Sequence, residues 1–274
     1  MNVKLIAVDM DGTLLRSDKT VSRRSVEALR SAIERGVILI PATGRVAYTV
    51  PKPVLGIRGV RYVVTSNGAM VKDLQEQKVL YRNLMTMQQA KELLKLLDSY
   101  GLFTEAYCDG VSYSERSILD LAVKAGLPEN LHRYIIESQH FVENLLGHVS
   151  LQALPPEKVN IPYIPEEMRA EIREKILSLP GLALTSSGME NIEINAASCS
   201  KGDALKFLCT KLSVSPSQIM AIGDGDNDVS MLRYAGVAVA MENAVPSVKA
   251  AANFVTGAND RDGVAFAVEK FVLT

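Results

Sequence analysis

Short uninterrupted apolar runs alternate along this chain with stretches in which apolar residues recur every three or four positions. Residues 3–8 and 37–40 are continuous, β-rich runs. Between them Val26, Leu29 and Ile33 fall at helical spacing over 22–35, and Gly36 marks the stop. Residues 62–65 read as a third strand. Strands that are apolar on both faces and separated by a helix predict a parallel sheet covered on both sides. The same grammar returns late in the chain: a helix over 201–212, a strand over 218–222, a short helix over 228–234, strands at 237–240 and 253–255, and a closing helix over 264–272.

The middle of the chain follows another pattern. Leu93, Leu94 and Leu97 place an amphipathic helix over 85–100. Short strand-like runs at 102–107 and 111–113 flank Asp109-Gly110, a hairpin signal. A further helix over 166–179 ends at Pro180-Gly181. Helices mixed with hairpins predict an α+β unit. The expected organisation is therefore an α/β domain formed by 1–83 together with 189–274, with an α+β domain of residues 84–188 inserted into it.

Composition narrows the classes. Of 274 residues, 47% are hydrophobic and 22% charged, enough to bury a core and unlike a disordered chain. Lys and Arg number 30 against 31 Asp and Glu, so no basic surface predicts nucleic acid as a partner. Cys108, Cys199 and Cys209 form no CxxC pair, which fits a reduced, cytoplasmic setting. Asp9 interrupts the first apolar run too early for a signal peptide, and no run is long enough to predict a membrane span. The expected state is a monomer or homodimer.

The chemistry lies where the apolar runs stop. The first ends in Asp9-Met10-Asp11-Gly12-Thr13, the second in Thr43-Gly44-Arg45, the third in Ser66-Asn67-Gly68, and the strand at 218–222 in Gly223-Asp224-Gly225-Asp226-Asn227-Asp228. In an open parallel sheet the carboxyl ends of the strands share one crevice, and ligands bind there. Asp9, Asp11, Asp224 and Asp228 gathered at one rim would repel one another, and a hard divalent cation such as Mg²⁺ relieves that. Thr43 and Asn67 can hydrogen-bond an oxyanion. Lys201, at a helix start, adds positive charge where phosphate is favoured. One carboxylate can attack phosphorus while a second moves the proton.

Together these residues resemble the haloacid dehalogenase superfamily. Asp9-Met10-Asp11-Gly12-Thr13 is similar to its first motif, Thr43 in Ala-Thr-Gly-Arg to its second, Lys201 in Ser-Lys-Gly-Asp-Ala-Leu to its third, and Gly223 to Asp228 to its fourth, in the family's order. Ser66-Asn67-Gly68-Ala69, Ile192-Glu193-Ile194, Asn243 with its neighbours and Asp262-Gly263-Val264-Ala265 also match the Cof-type subfamily. The resemblance implies a Rossmann-like core with an inserted cap that opens for substrate and closes against water. It implies a Mg²⁺-dependent phosphatase acting on small phosphate esters, sugar phosphates or phosphorylated cofactors, through an aspartyl-phosphate. Asp9 would be nucleophile and metal ligand. Asp11 would be general acid and base, meeting the metal through its backbone carbonyl. Met10, Thr43, Gly44, Lys201 and Asn227 would hold phosphate, Asp224 the metal, and Asp228 the metal's waters or Lys201. Arg45 and Asn67 are candidates for substrate contact. Glu242 stands where many relatives have glycine.

Other readings compete. Asp9 and Asp11 could form a turn, Thr43 could cap a helix, and Asn67-Gly68 could be a hairpin turn. Residues 224–228 open like a calcium-binding loop, but Val229 and Ala235 occupy the positions where that loop needs glycine and an acid. His132, His140 and His148 are spaced too widely for one helix to chelate a metal. Glu193 could brace Lys201 or the core. A phosphomutase, or a receiver module that stores phosphate on aspartate, would share the acidic residues. The first would return phosphate to its substrate, and the second needs neither Asp11 nor an insertion of this size.

Overall fold

A computed structural model of the chain describes residues 2–117, 136–186 and 191–274. In chain order its strands are β1 (Leu5–Val8), β2 (Ile38–Pro41), β3 (Tyr62–Thr65), β4 (Met70–Asp73), β5 (Lys78–Arg82), β6 (Glu105–Cys108) and β7 (Val111–Glu115). They continue with β8 (His140–Val142), β9 (Lys158–Ile161), β10 (Leu182–Thr185), β11 (Ile192–Ala196), β12 (Ile219–Gly223), β13 (Val237–Ala240) and β14 (Phe254–Val255). The chain divides into two units. One comprises Met1–Arg45, Val50–Arg82 and Ser200–Thr274; the other comprises Val46–Thr49 and Asn83–Cys199.

The first unit is built on a parallel sheet in the order β14-β13-β12-β1-β2. Its interior strand β1, flanked by β12 and β2, has no solvent exposure at Leu5, Ile6, Ala7 or Val8. Burying each of its larger side chains contributes about 1.5–3 kcal/mol, which makes this strand the anchor of the unit. Helix Arg23–Glu34 buries Ala28, Leu29 and Ala32, and Ser22 caps it by accepting from the Ser25 amide. Register decides where the site falls. Val8 lies opposite Ile222 on one side and Pro41 on the other, so β12, β1 and β2 end level. Asp9, Asp224 and Thr43 therefore leave the sheet along one rim.

The third apolar run lies parallel to the second, as expected, through one isolated parallel bridge, Ala42 to Val64. β3 also heads an antiparallel sheet, β3-β4-β5. The cause is local. Ser66, Asn67 and Gly68 have φ values of 51°, 59° and 98°, which turn the chain straight back into β4 where a parallel strand would need a long crossover. The hairpin reading of Asn67-Gly68 is thus correct, and the residues also stand at the rim.

The second unit carries a six-stranded sheet in the order β10-β11-β9-β6-β7-β8, antiparallel except between β7 and β8. Strand residues alternate in direction. Ala106, Val159, Ile161, Ile192 and Ile194 form an apolar face, while Glu105, Tyr107, Lys158, Asn160 and Glu193 point the other way. Helix Met87–Ser99 buries Leu93, Leu94 and Leu97, and helix Glu166–Leu177 buries Ile172 and Ile176. A Thr86–Gln89 capping box starts the former. β11 lies between β10 and β9, so this unit extends to Cys199, past the expected boundary at 188. Glu193, on β11, takes Lys158 as its ion-pair partner at 2.6 Å. No helix among the described residues is long and apolar enough to cross a membrane.

Candidate active site

β1 delivers Asp9 to the rim, where its amide donates to the Ile222 carbonyl at 3.0 Å. The chain then turns within five residues, because Thr13 and Leu15 donate back to the Met10 carbonyl. Gly12 makes this turn possible. Its φ is 78°, and a Cβ there would lie 2.3 Å from Asp224 Oδ2. The loop thereby presses against the acidic end of β12, and Thr13 Oγ1 donates to Asp224 Oδ1 at 2.5 Å. Asn243 ties down the far side by donating to the Gly12 carbonyl at 2.8 Å.

Lys201 opens helix Lys201–Leu212, whose N-terminus is capped by Ser200 accepting from the Asp203 amide. Its ammonium is buried and donates to Asp9 Oδ1 and Asp228 Oδ1, each at 2.6 Å. The second Asp228 oxygen accepts from the amides of Asp224 and Gly225 at 2.9 and 3.0 Å. Among the described residues, Asp9, Asp224 and Asp228 each offer a carboxylate oxygen, and these oxygens lie within 4.8 Å of one another.

The electrostatics follow from crowding. Burial raises the Asp9 carboxyl well above its usual range; Asp228 and Asp224 add to the rise and Lys201 opposes it. Burial also raises Asp224, up to about 6, with Asp228 adding and the Thr13 hydrogen bond opposing. Burial alone would favour the neutral amine at Lys201, but Asp228 and Asp9 outweigh it and keep the ammonium charged. One ammonium facing three hard oxygen donors leaves negative charge to neutralise. That donor set fits a divalent cation such as Mg²⁺.

Asp11 lies outside the three-carboxylate group. Arg45 grips it with two hydrogen bonds, Nε to Oδ2 at 2.6 Å and Nη2 to Oδ1 at 2.7 Å, and Lys19 adds a third at 3.0 Å. Burial pushes this carboxyl up, but Arg45 and then Lys19 overcome it and hold it down at about 2.

Thr43 is buried at the end of β2. Its hydroxyl accepts from the Arg45 amide at 3.0 Å, and its carbonyl accepts from the Asn67 amide at 3.0 Å. Gly44 lies between Thr43 and Arg45 in this turn. Asn67 Oδ1 accepts from Asn227 Nδ2 at 3.0 Å, joining the β3–β4 turn to the acidic loop. Gly68 lets that turn approach the start of the Lys201 helix, since a Cβ there would fall 2.1 Å from the Ser200 carbonyl oxygen.

Elsewhere, Glu242 pairs with Arg261 at 2.6 Å. His140 and His148 pack against the Tyr113 ring, while His132 lies outside the described residues. Three contributors to the site carry no assigned role in the sequence reading: Thr13, Lys19 and Asn243. Thr13 and Asn243 sit inside quoted motifs, so their hydrogen-bonding side chains were a usable signal. Lys19 has none, because only a turn with φ 65° at that residue returns it to Asp11.

Comparison with known proteins agrees with this geometry. A family model described as haloacid dehalogenase-like hydrolase matches residues 6–268. The chain is 30% identical over 277 residues to the 5-amino-6-(5-phospho-D-ribitylamino)uracil phosphatase YcsE of Bacillus subtilis, covering 100% of this chain and 97% of that protein. It is 32% identical over 282 residues to the phosphatase YwpJ of the same organism, covering 96% and 98%. Among solved structures, a haloacid dehalogenase-like hydrolase from B. subtilis superposes with a TM-score of 0.84 at 28% identity, covering 98% of this chain and 100% of that one. One from Bacteroides thetaiotaomicron gives 0.82 at 28%, covering 98% and 99%.

Proposed function

Because the chain belongs to the haloacid dehalogenase-like hydrolases, we propose that it is a Mg²⁺-dependent phosphatase whose Asp9 carries the phosphoryl group between substrate and water. At the coarser level it is a phosphoric monoester hydrolase with a parallel-sheet core and an inserted cap, acting on small phosphorylated molecules through its aspartates.

An Asp9 oxygen attacks phosphorus, and the bond from phosphorus to the ester oxygen breaks. Asp11 gives the leaving oxygen a proton. In the second step Asp11 takes a proton from water, the water oxygen attacks phosphorus, and phosphate departs with Asp9 restored. Arg45 and Lys19 keep the resting Asp11 ionised, the form that accepts the water's proton. Its proton for the first step is supplied by a substrate that enters singly protonated on phosphate. Lys201, Thr43, Gly44, the Met10 backbone and Asn227 hold the phosphoryl oxygens, with Arg45 and Asn67 at their margin. Asp9, Asp224 and the Asp11 carbonyl would hold Mg²⁺, with Asp228 behind them. The ion would neutralise charge on the phosphoryl oxygens as it moves.

The observation that carries this reading is the buried Lys201 ammonium shared between Asp9 and Asp228 beside Asp224. It supports the reading because the proposed nucleophile, a cation and proposed metal ligands lie together. Sugar phosphates and phosphorylated cofactors form the substrate panel. The name of the relative YcsE puts 5-amino-6-(5-phospho-D-ribitylamino)uracil first among them. The test is phosphate release from p-nitrophenyl phosphate and from that panel, with Mg²⁺ and after chelation. Release that stops on chelation and returns with Mg²⁺ supports the reading, and undiminished release in chelator overturns it. Asp11→Asn should slow both steps; an unchanged pH–rate profile in that variant removes its assigned role.

A further inference from the structure

Two hydroxyls hold the start of helix Lys201–Leu212, one from just before the helix and one from another helix. Ser200 Oγ accepts from the Asp203 amide at 3.1 Å, an ordinary helix cap. Ser230 Oγ accepts from the Gly202 amide at 3.0 Å, and it belongs to helix Val229–Tyr234, which follows the acidic loop. The first amides of a helix have no partner within it and attract phosphate. Here the amides of Gly202 and Asp203 are already taken. The affinity of this helix start for phosphate is therefore carried by the Lys201 ammonium and not by those two amides.

Backbone packing reinforces the Ser230 contact. A Cβ on Gly202 would lie 2.7 Å from the Ser230 carbonyl oxygen and 3.0 Å from the Ser230 Cβ. Only a residue without a side chain lets the two helices meet this closely. The same short stretch holds Lys201 a second time. Asp228 Oδ1 accepts from the Lys201 ammonium at 2.6 Å, and Asp228 Oδ2 accepts from the amides of Asp224 and Gly225. Residues 228–230 thus grip the lysine at both ends. A carboxylate takes its side-chain nitrogen, and a hydroxyl takes the peptide that follows its Cα.

A lysine stem is flexible and has little rigidity of its own. The place of its ammonium depends on where its Cα is held and on what the nitrogen meets. Asp9 and Asp228 settle the second. We infer that Ser230 settles the first: it is a positioning residue that fixes the helix start so that the Lys201 ammonium meets the phosphoryl group at Asp9. The inference rests on the phosphatase reading given above. Without the hydroxyl, the Gly202 amide faces a methyl group. An unpaired donor costs free energy, and a small shift of the helix start toward water relieves it. That shift carries Lys201 with it. Asp224 is held separately, by the Thr13 hydroxyl, so the metal side of the site should change much less than the phosphate side.

The test is Ser230→Ala in the full chain. It is followed through p-nitrophenyl phosphate hydrolysis with Mg²⁺ and through inhibition by orthovanadate, which takes the place of the transferring phosphoryl group. The loss of one cap should lower kcat/KM about fivefold and raise the vanadate inhibition constant by about the same factor. The half-saturating Mg²⁺ concentration should stay within about twofold of wild type. A merely structural role lowers the melting temperature or the active fraction, and neither of these moves an inhibition constant. Gly202→Ala, which forces the two helices apart, should give the same pattern; if it does not fold, Ser230→Ala alone decides. A vanadate constant within about twofold of wild type overturns the inference, as does an equal rise in half-saturating Mg²⁺ or a wild type insensitive to vanadate. Should wild type release no phosphate from p-nitrophenyl phosphate or the substrate panel with Mg²⁺, the phosphatase reading falls and this inference with it. Hydrolysis by wild type with an unchanged vanadate constant in Ser230→Ala removes this inference alone.

Discussion

The ammonium of Lys201 lies 2.6 Å from an Asp9 oxygen, although 192 positions separate the two residues. The same nitrogen is 2.6 Å from Asp228, and none of the three groups is more than slightly exposed. A charge so placed is structural and chemical together. It stands against the charge of the Asp9 carboxylate, and under the proposed function it stands where phosphoryl oxygens would come.

Replacing that lysine should therefore damage the fold in a metal-dependent way. Lys201→Met leaves the buried Asp9 and Asp228 beside the half-buried Asp224 without their ammonium. Removing one partner of a buried ion pair typically costs about 3–5 kcal/mol. In chelator the variant should melt well below wild type, and Mg²⁺ should raise its melting temperature more than it raises that of wild type. Equal melting temperatures in chelator would show that the ammonium is not needed to hold the acidic groups together.

Asp9→Asn should separate chemistry from folding. The amide keeps nearly the same shape but loses the oxygen proposed as nucleophile and the charge opposite Lys201, which still has Asp228. The expected loss in kcat is about a thousandfold or more, as for other nucleophile deletions. Circular dichroism should remain that of wild type. Steady-state phosphate release near the wild-type rate would remove Asp9 from its role.

How much of this was legible beforehand depends on the kind of information each residue carries. The level strand ends followed from apolar runs that stop at acidic or hydroxyl residues, because a parallel sheet has only one carboxyl rim. Asp9, Thr43 and Asp224 could thus be placed together without coordinates. The hairpin that follows β3 could not. It hangs on three consecutive positive φ values at Ser66, Asn67 and Gly68, and only the glycine advertises that conformation. Likewise Arg45 was a candidate without a partner, since nothing in a sequence says that its guanidinium faces Asp11, 34 positions earlier. The reach of β11 into the second unit was hidden because Ile192-Glu193-Ile194 reads as a strand that either sheet could take.

Gly12→Ala tests how tightly the first loop is held against the acidic end of β12. The new methyl would sit 2.3 Å from Asp224 Oδ2 in a backbone conformation that costs a non-glycine residue about 1–2 kcal/mol. Asp224 or the loop must shift, and the Thr13 hydrogen bond to Asp224 shifts with it. The expected result is weaker Mg²⁺ activation, read as a rise of the half-saturating metal concentration by about tenfold, with a smaller change in substrate KM. A metal titration superimposable on that of wild type would mean that the contact has no bearing on the site.

A final prediction concerns acid stability away from the site. Asp73, at the end of β4, is buried and accepts from Arg61 Nε at 2.9 Å and Nη2 at 2.8 Å, and from the amides of Gln75 and Glu76. The Arg61 hydrogen bond leads in holding its carboxyl below the usual range, against burial. A depressed carboxyl favours the folded state fully above the unfolded value of about 3.9, and the benefit disappears as pH falls through the lower folded value. Asp73→Asn never has that benefit. The gap in urea midpoint between wild type and Asp73→Asn should therefore be widest near neutrality and should close as pH falls below about 5 and on through the lowered folded value. Because both proteins share every other titrating group, the difference isolates Asp73. A gap that stays constant or widens on acidification would mean that the Arg61 pairing adds nothing to the stability of the β3–β4–β5 sheet.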